Sequence, residues 1–290
     1  MIRHFISEKN EPIIEFLSRE LGLTSVKSLE MLNFGAVYLN KNRQLDATEI
    51  KTGDYIRAHT EPKRFSVKSI DWSSLLLFEN QDFLVINKPG GIPTHATVAN
   101  RYENVVDQMK KHLGYDVYVT SRLDVVTNGL LVLAKTKKFQ TEFNNALRDS
   151  RVTKYYEAIV ENHIQHPLHL THYMKNDYTQ PKILSDEAQD GFLKCELKIF
   201  DSKKLSLDNM NQTQIRIELL TGRTHQIRSQ LSQIGHPILG DKLYGSKLPW
   251  LSEDTVSLTA YYLRFQLSEK FEFNLHEILK LRTQLESHHS

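Results

Sequence analysis

Cysteine is almost missing: Cys195 is the single one among 290 residues, so no internal disulfide can form and a disulfide-stapled scaffold is excluded. Its chemistry reads as that of a small buried hydrophobe in a reducing compartment. Tryptophan is nearly as scarce, and Trp72 and Trp250 read as packing residues. No apolar run approaches the roughly 18 residues that a membrane-spanning helix needs. Residues Met1 to Glu8 lack an apolar stretch of signal-peptide length and a small-residue cleavage pattern, so the expected location is cytoplasmic, away from membranes. Nor does one sign of charge dominate: 37 Lys and Arg against 35 Asp and Glu leave a net +2, short of a plainly basic nucleic-acid domain.

What is present is an ordinary globular composition, 40% hydrophobic and 25% charged, which excludes wholesale disorder and gives room for about two domains. Positive charge is local. Residues 27–68 hold eight basic and five acidic side chains, 135–154 six and two, and 213–247 five and two. The stretch 161–212 reverses the sign, with eight acidic against six basic. Any one cluster alone is accounted for by a solvated face.

The first 65 residues read as a small α/β module. Helical apolar spacing over Pro12–Leu17 and Val26–Leu32 predicts two helices, the second closed at Gly35. Short strands are expected at Ala36–Asn40 and Tyr55–Ala58, the latter entered from the turn Thr52-Gly53-Asp54. Residues 66–290 read as a second, α+β domain. Phe83–Asn87 predicts a strand stopped by Lys88-Pro89-Gly90-Gly91. A helix is expected over Asn104–Leu113. Gly129–Ala134 is a continuous apolar run of buried-strand length. Phe139, Phe143, Ala146 and Leu147 then mark an amphipathic helix. Strands follow at Tyr155–Val160 and Gln214–Leu219, then a helix striped by Ile227, Leu231 and Ile234.

Two stretches place polar groups where apolar ones would be cheaper. In Ser121-Arg122-Leu123-Asp124-Val125-Val126-Thr127-Asn128-Gly129, a carboxylate sits at the mouth of a core strand and needs a partner. It suits a nucleophile or base. An Asp capping a turn made by Asn128-Gly129 is the simpler explanation from residue types alone. In Leu220-Thr221-Gly222-Arg223-Thr224-His225-Gln226-Ile227-Arg228, Thr221 or Thr224 can cap the following helix. Arg228 falls at the edge of the apolar stripe, where a guanidinium seeks a carboxylate or phosphate, or simply snorkels.

Taken together, these stretches resemble the RNA pseudouridine synthases of the RluA type, from Phe83 to about Gly245. Ile86-Asn87-Lys88-Pro89-Gly90-Gly91-Ile92-Pro93-Thr94-His95 looks like that family's opening strand and loop. Arg122-Leu123-Asp124 with Thr127 and Gly129 looks like its catalytic motif. Lys154-Tyr155-Tyr156 is similar to its Lys-x-Tyr. The segment 221–228, with Gly235-His236-Pro237 and Gly240-Asp241 to Tyr244-Gly245, resembles its closing motif. Ser121 and Asn128 stand where the family usually has His and Ser. The first 65 residues resemble a small RNA-binding domain of the ribosomal-protein type.

The resemblance implies a mixed, mostly antiparallel sheet with flanking helices, and a cofactor-free isomerisation of uridine in structured RNA, ribosomal rather than transfer RNA. It implies a catalytic set of Asp124, Tyr156 and Arg228, with Arg228 paired to Asp124 and holding it charged. Lys88, Arg122, Thr127, Asn128, Arg223, Thr224 and His225 are the implied substrate contacts. RNA is the expected partner, no obligatory protein partner is evident, and a monomer is expected. A non-catalytic RNA-binding protein that kept the fold is the rival reading, to which intact Asp124, Tyr156 and Arg228 are opposed. A zinc site is a second rival, since His163, His166, His169 and His172 recur every third residue. In a strand-like segment that spacing alternates faces and fixes no metal geometry, so no metal is expected.

Overall fold

The computed structural model describes residues 1–164, 167–207 and 210–287, which divide into two compact units. The first comprises Met1–Ile70 and His95–Gly114, the second Asp71–Thr94 and Tyr115–Ser290.

In the first unit, β1 (Ile2–Ile6) and β2 (Glu11–Pro12) lead into α1 (Ile13–Leu21) and α2 (Ser25–Asn33). Pro12 precedes α1 with φ already near −60°, and left-handed Gly22 ends it. The Thr24 hydroxyl caps α2 by accepting from Lys27 N at 3.3 Å. Then come β3 (Val37–Leu39), β4 (Asn42–Gln44), β5 (Glu49–Ile50) and β6 (Tyr55–His59). A four-stranded sheet in the order β1-β6-β3-β4 packs Val37, Ile56 and Ala58 against Ile13, Phe16, Leu17 and Leu32. Both expected helices and both expected strands are there. The strand β1 was not expected, because its side chains are almost all exposed and carry no alternation of burial.

The same unit holds α3 (Val105–Leu113), which the expected boundary at residue 65 would assign to the larger domain. Its leading segment is tied down by long-range polar contacts. Arg64 grips the Glu103 carboxylate with Nε and Nη2 at 2.8–3.1 Å, and Asn100 Nδ2 bonds Lys63 O and Glu103 Oε2. Such contacts leave no local trace in the sequence.

The second unit is built on β7 (Leu76–Glu79), β8 (Phe83–Lys88), β9 (Tyr118–Val119), β10 (Asn128–Ala134), α4 (Lys137–Arg148) and β11 (Val152–Glu161). It continues with β12 (Leu168–Lys175), β13 (Leu184–Ser185), β14 (Phe192–Leu207), β15 (Met210–Leu219) and α5 (Gln226–Gln233). After the 3-10 turn Lys242–Tyr244 come β16 (Leu258–Gln266), β17 (Lys270–Asn274) and α6 (Leu275–Ser287). Its eleven-stranded sheet runs β13-β12-β14-β15-β11-β16-β10-β8-β7, with β17 beside β16 and β9 beside β10. Pairing is antiparallel except between β10 and β16. The fold is therefore the mostly antiparallel α+β architecture expected.

The apolar run of β10 is buried from Gly129 to Ala134, and α4 lays Phe139, Phe143 and Ala146 over it. Phe83 stacks on Phe139 at 4.6 Å and meets Phe265 and Phe271 edge-on. Each buried Phe contributes on the order of 2–3 kcal/mol of transfer free energy. Gly129 is a position only glycine fills: at φ +113° its added Cβ would lie 2.3 Å from Ala260 O, on the parallel neighbour β16. That close approach sets where β10 begins, and so where the loop before it ends.

Among the described residues no helix is long and apolar enough to cross a membrane. No group of three or more His, Cys, Asp or Glu among them could hold a metal. Of the four-histidine run, His166 lies outside the described residues, while His169 and His172 sit on β12 with opposite exposure.

Candidate active site

Asp124 occupies the loop between β9 and β10, and that loop is held through its backbone. All five carbonyls from Leu123 to Thr127 have donors. Thr94 Oγ1 bonds Leu123 O at 3.0 Å, and Thr127 N bonds Asp124 O at 3.2 Å. Gly91 N bonds Val125 O at 2.8 Å, and Val256 N bonds Val126 O at 3.3 Å. Lys88 Nζ donates to Thr127 O at 2.8 Å, to Val125 O at 3.2 Å and to Pro89 O at 2.8 Å. A loop whose acceptors are all spent inside the protein has little freedom to move, which fixes the Asp124 carboxylate.

This corrects the expected role of Lys88. It is fully buried and its three protons face three carbonyls, so it cannot reach substrate. Burial pulls its ammonium down to about 7, with Asp124 opposing the shift. Lys88→Met is expected to lower unfolding free energy by about 2–3 kcal/mol, since orphaning several buried acceptors outweighs the relief of removing a buried cation. Urea unfolding measures this, and an unchanged midpoint would show that the loop does not depend on the amine. Thr127 is likewise buried, and Asn128 donates its side-chain amide to Thr259 Oγ1 at 3.0 Å, bracing β10 against β16. Burial takes Thr127 out of the expected substrate contacts, while Asn128 stays partly exposed.

Arg228 comes from the first turns of α5 and is 4% exposed. The expected pairing exists, Nη1 to Asp124 Oδ2 at 3.3 Å, but it is the weaker of two. The stronger is bidentate: Nε and Nη2 bind the two oxygens of Asp241 at 2.7 and 2.9 Å. Burial opposes the charge of Arg228, and Asp241, then Asp124, outweigh it, so the guanidinium stays protonated. The sequence reading held Asp241 only as part of a Gly-Asp pair. Its role as anchor emerges once α5 and the loop before Lys242–Tyr244 are packed together.

The segment before α5 is also rigid, though neither Thr221 nor Thr224 caps the helix as expected. His225 sits at the cap in the left-handed region, φ +59°, without a capping side chain. Buried Gln226 replaces the cap: its Oε1 accepts from Thr221 Oγ1 at 2.8 Å and from Arg223 N at 3.0 Å. Its Nε2 donates to Glu196 O and to Gln230 Oε1, both at 3.0 Å. His225 Nδ1 lies 3.1 Å from the hydroxyl of Tyr244, which accepts from Lys182 N at 3.0 Å. Burial keeps the His225 ring neutral by lowering its pKa, against the pull of Asp124.

Arg122, Arg223 and Thr224 remain exposed at this edge, and Arg122 Nη2 reaches Thr224 Oγ1 at 3.3 Å, linking the two motif loops. The structure therefore brings Arg228 and His225 to the Asp124 carboxylate and ties Arg122 to Thr224 on the neighbouring loops. Tyr156, on β11, lines the adjoining cleft with Leu123, Leu130, Lys154 and Ala260. Its phenol is buried and pushed upward in pKa, first by burial and then by the charge of Asp124. A bulge in β16 at Tyr261 shifts the register between Tyr155 and Tyr156, so Tyr156 lies opposite Ala260. Lys154, two residues earlier on the same strand face, opens on the same cleft, and burial pulls its amine down to about 8. The Lys-x-Tyr spacing was its only sequence signal.

The model of the RNA pseudouridylate synthase family matches residues 82–233. The chain is 27% identical to the chloroplastic RNA pseudouridine synthase 6 of Oryza sativa subsp. japonica, over 84% of this chain and 64% of that protein. It is 30% identical to the mitochondrial tRNA pseudouridine(32) synthase of Saccharomyces cerevisiae, over 74% of this chain and 46% of that one. The chain thus spans less than two thirds of the length of these relatives. Among solved structures, human RNA pseudouridylate synthase domain containing 1 superposes with a TM-score of 0.53 at 24% identity, covering 69% of this chain and 81% of that one. Human RNA pseudouridylate synthase domain containing 4 gives 0.54 at 19%, covering 72% and 94%. These two likenesses are likenesses of fold.

Proposed function

Because the chain belongs to the RNA pseudouridylate synthase family, we propose that it converts uridine in RNA to pseudouridine, with Asp124 as the reacting carboxylate. The observation that carries this reading is the fixed, partly exposed carboxylate of Asp124, paired at 3.3 Å with a guanidinium that Asp241 anchors. In the reaction the bond between ribose C1′ and uracil N1 breaks, the base turns, and C1′ joins C5. The C5 proton leaves and N1 gains one, so nothing is oxidised and no cofactor is required. Asp124 acts on the ribose, either by adding at C1′ as the N1 bond breaks or by removing a proton from the adjacent ribose carbon. Tyr156 packs on the base or assists loss of the C5 proton.

The target uridine must leave its stack to reach this carboxylate, so base flipping is part of the proposal. Arg122 and Arg223, exposed at the site's edge, suit contacts with flanking phosphates, which set register and carry little sequence information. The small first unit is proposed to add RNA affinity. A monomer acting in the cytoplasm without an obligatory protein partner completes the reading. Ribosomal RNA is the preferred substrate on the sequence reading, and transfer RNA is the one that the yeast relative's name carries.

Tritium release from RNA labelled at uridine C5 tests the activity, run separately on ribosomal and transfer RNA fractions. Release from either fraction supports the synthase, and its source decides the substrate. No release from both, with RNA binding retained, would favour the rival reading of a binding protein that kept the fold.

A further inference from the structure

The first unit carries two buried side-chain nitrogens without a hydrogen-bond partner among the described residues: Arg57 Nε and His59 Nε2. Native proteins seldom leave such groups unspent. The two residues are neighbours on one face of β6, and the register shows what surrounds them. His4 lies opposite Arg57 on β1, Tyr38 opposite Arg57 on β3, and Arg43 opposite Tyr38 on β4. Directly opposed residues share a sheet face, so His4, Arg57, Tyr38 and Arg43 form one row across all four strands. The core-facing set, Phe5, Ile56, Ala58, Val37 and Leu39, occupies the other face.

The row holds no carboxylate. Arg57 lies over the Tyr38 ring at 4.2 Å, and Arg43 donates Nε and Nη2 to the Tyr38 hydroxyl at 3.1 and 2.7 Å. Arg43 is further fixed by Thr97 O at 2.6 Å, and the Tyr38 hydroxyl donates to Val98 O at 2.9 Å. Arg57 makes no ion pair or hydrogen bond through its side chain among the described residues, although the residue is partly exposed. The Tyr38 ring is already taken up by the guanidiniums of Arg57 and Arg43, 4.2 and 5.3 Å from its centroid. The chemistry on offer is therefore positive charge and an unspent guanidinium, without a free aromatic platform.

We propose that Arg57, backed by the buried ring of His59 and framed by the positive charge of Arg43, forms an oxyanion site that takes a backbone phosphate of RNA. The proposal rests on the reading that this chain acts on RNA, and it assigns a phosphate contact to residues other than those that do the chemistry. A guanidinium suits phosphate in charge and in the planar spacing of its donors. His59 is kept neutral mainly by its burial, with Arg57 adding to the effect, and an arriving anion favours its protonated form.

The test uses the whole chain and a fluorescent oligouridylate, with affinity followed against salt. Arg57→Gln is expected to weaken binding roughly 3- to 10-fold, and to flatten the slope of log affinity on log salt by about 0.7 for the phosphate lost. Arg57→Lys should keep most of the slope. Equal slopes and affinities in wild type and Arg57→Gln would overturn the proposal. On the wild-type protein, which needs no variant to fold, the His59 ring resonances should shift on adding oligouridylate, and their constancy would also overturn it. Inorganic phosphate is the second arm. If it stabilises wild type but not Arg57→Gln, while the RNA slope is unchanged, the site takes a free anion and the RNA assignment is wrong. Tritium release measured in parallel separates the two levels: unchanged slopes with normal release reject this site alone, and altered slopes without release reject the synthase alone.

Discussion

Asp124→Asn is expected to reduce tritium release from uridine-labelled RNA by on the order of 10⁴-fold or more, close to background. An amide can neither add at C1′ nor accept a proton, so both routes through this residue are lost. Folding should survive. The carboxylate is partly exposed, its single ion pair is long, and Arg228 keeps the bidentate grip of Asp241 without it. The loop is held through backbone carbonyls that the substitution leaves alone. RNA affinity should therefore change little while turnover vanishes. Turnover within tenfold of wild type would remove Asp124 from the chemistry.

Arg228→Ala should have the largest combined effect. Asp241 is almost completely buried, and without the guanidinium its charge has no countercharge. Breaking a buried pair from one side costs about 3–5 kcal/mol. Asp124 loses its partner at the same time, so activity should fall by roughly two orders of magnitude or more among molecules that still fold. Stability and catalysis can be separated by a second substitution. Arg228→Met with Asp241→Asn removes both buried charges and should recover a good part of the lost stability, as read by urea unfolding. Tritium release should stay low, because Asp124 remains unpaired. If Arg228→Ala unfolds at the wild-type midpoint, the Asp241 pairing does not anchor the site. If the double variant regains turnover, Arg228 acts only as a structural pin.

The elements easiest to read in the sequence were those whose burial follows a short period. The stripe Phe139, Phe143, Ala146 on α4 follows the helical period, and the apolar run of β10 is marked as a strand by its short length and the Gly129 that opens it. The strand β1 escaped notice because its outward side chains leave no alternation. On β12 the strand-like character of the histidine run is legible, but that His172 turns inward to lie 2.9 Å from Gln230 is not. Residues 95–114 join the first unit through Arg64, Glu103 and Asn100, polar contacts that no window of neighbouring residues contains.

For the site, the ordered motifs singled out Asp124, Tyr156 and Arg228, of which Arg228 pairs with Asp124 while Tyr156 lines the adjoining cleft, but the motif could not say which neighbour each one serves. Lys88 and Arg228 are both basic residues within the motif segments, and the sequence does not tell their tasks apart. One is spent on three backbone carbonyls and the other on two carboxylates. The sequence by itself determined the residue types, the strands and helices that present them, and the family. Only the tertiary structure decided that Asp241 outranks Asp124 as the partner of Arg228, that Lys88 is an internal brace, and that Arg57 is left with a donor to spare. The reason is that secondary structure answers to neighbours a few residues away. A buried charge answers to whichever acceptor the folded chain brings within about 3 Å, and for Arg228 and Asp124 that acceptor lies 104 residues distant.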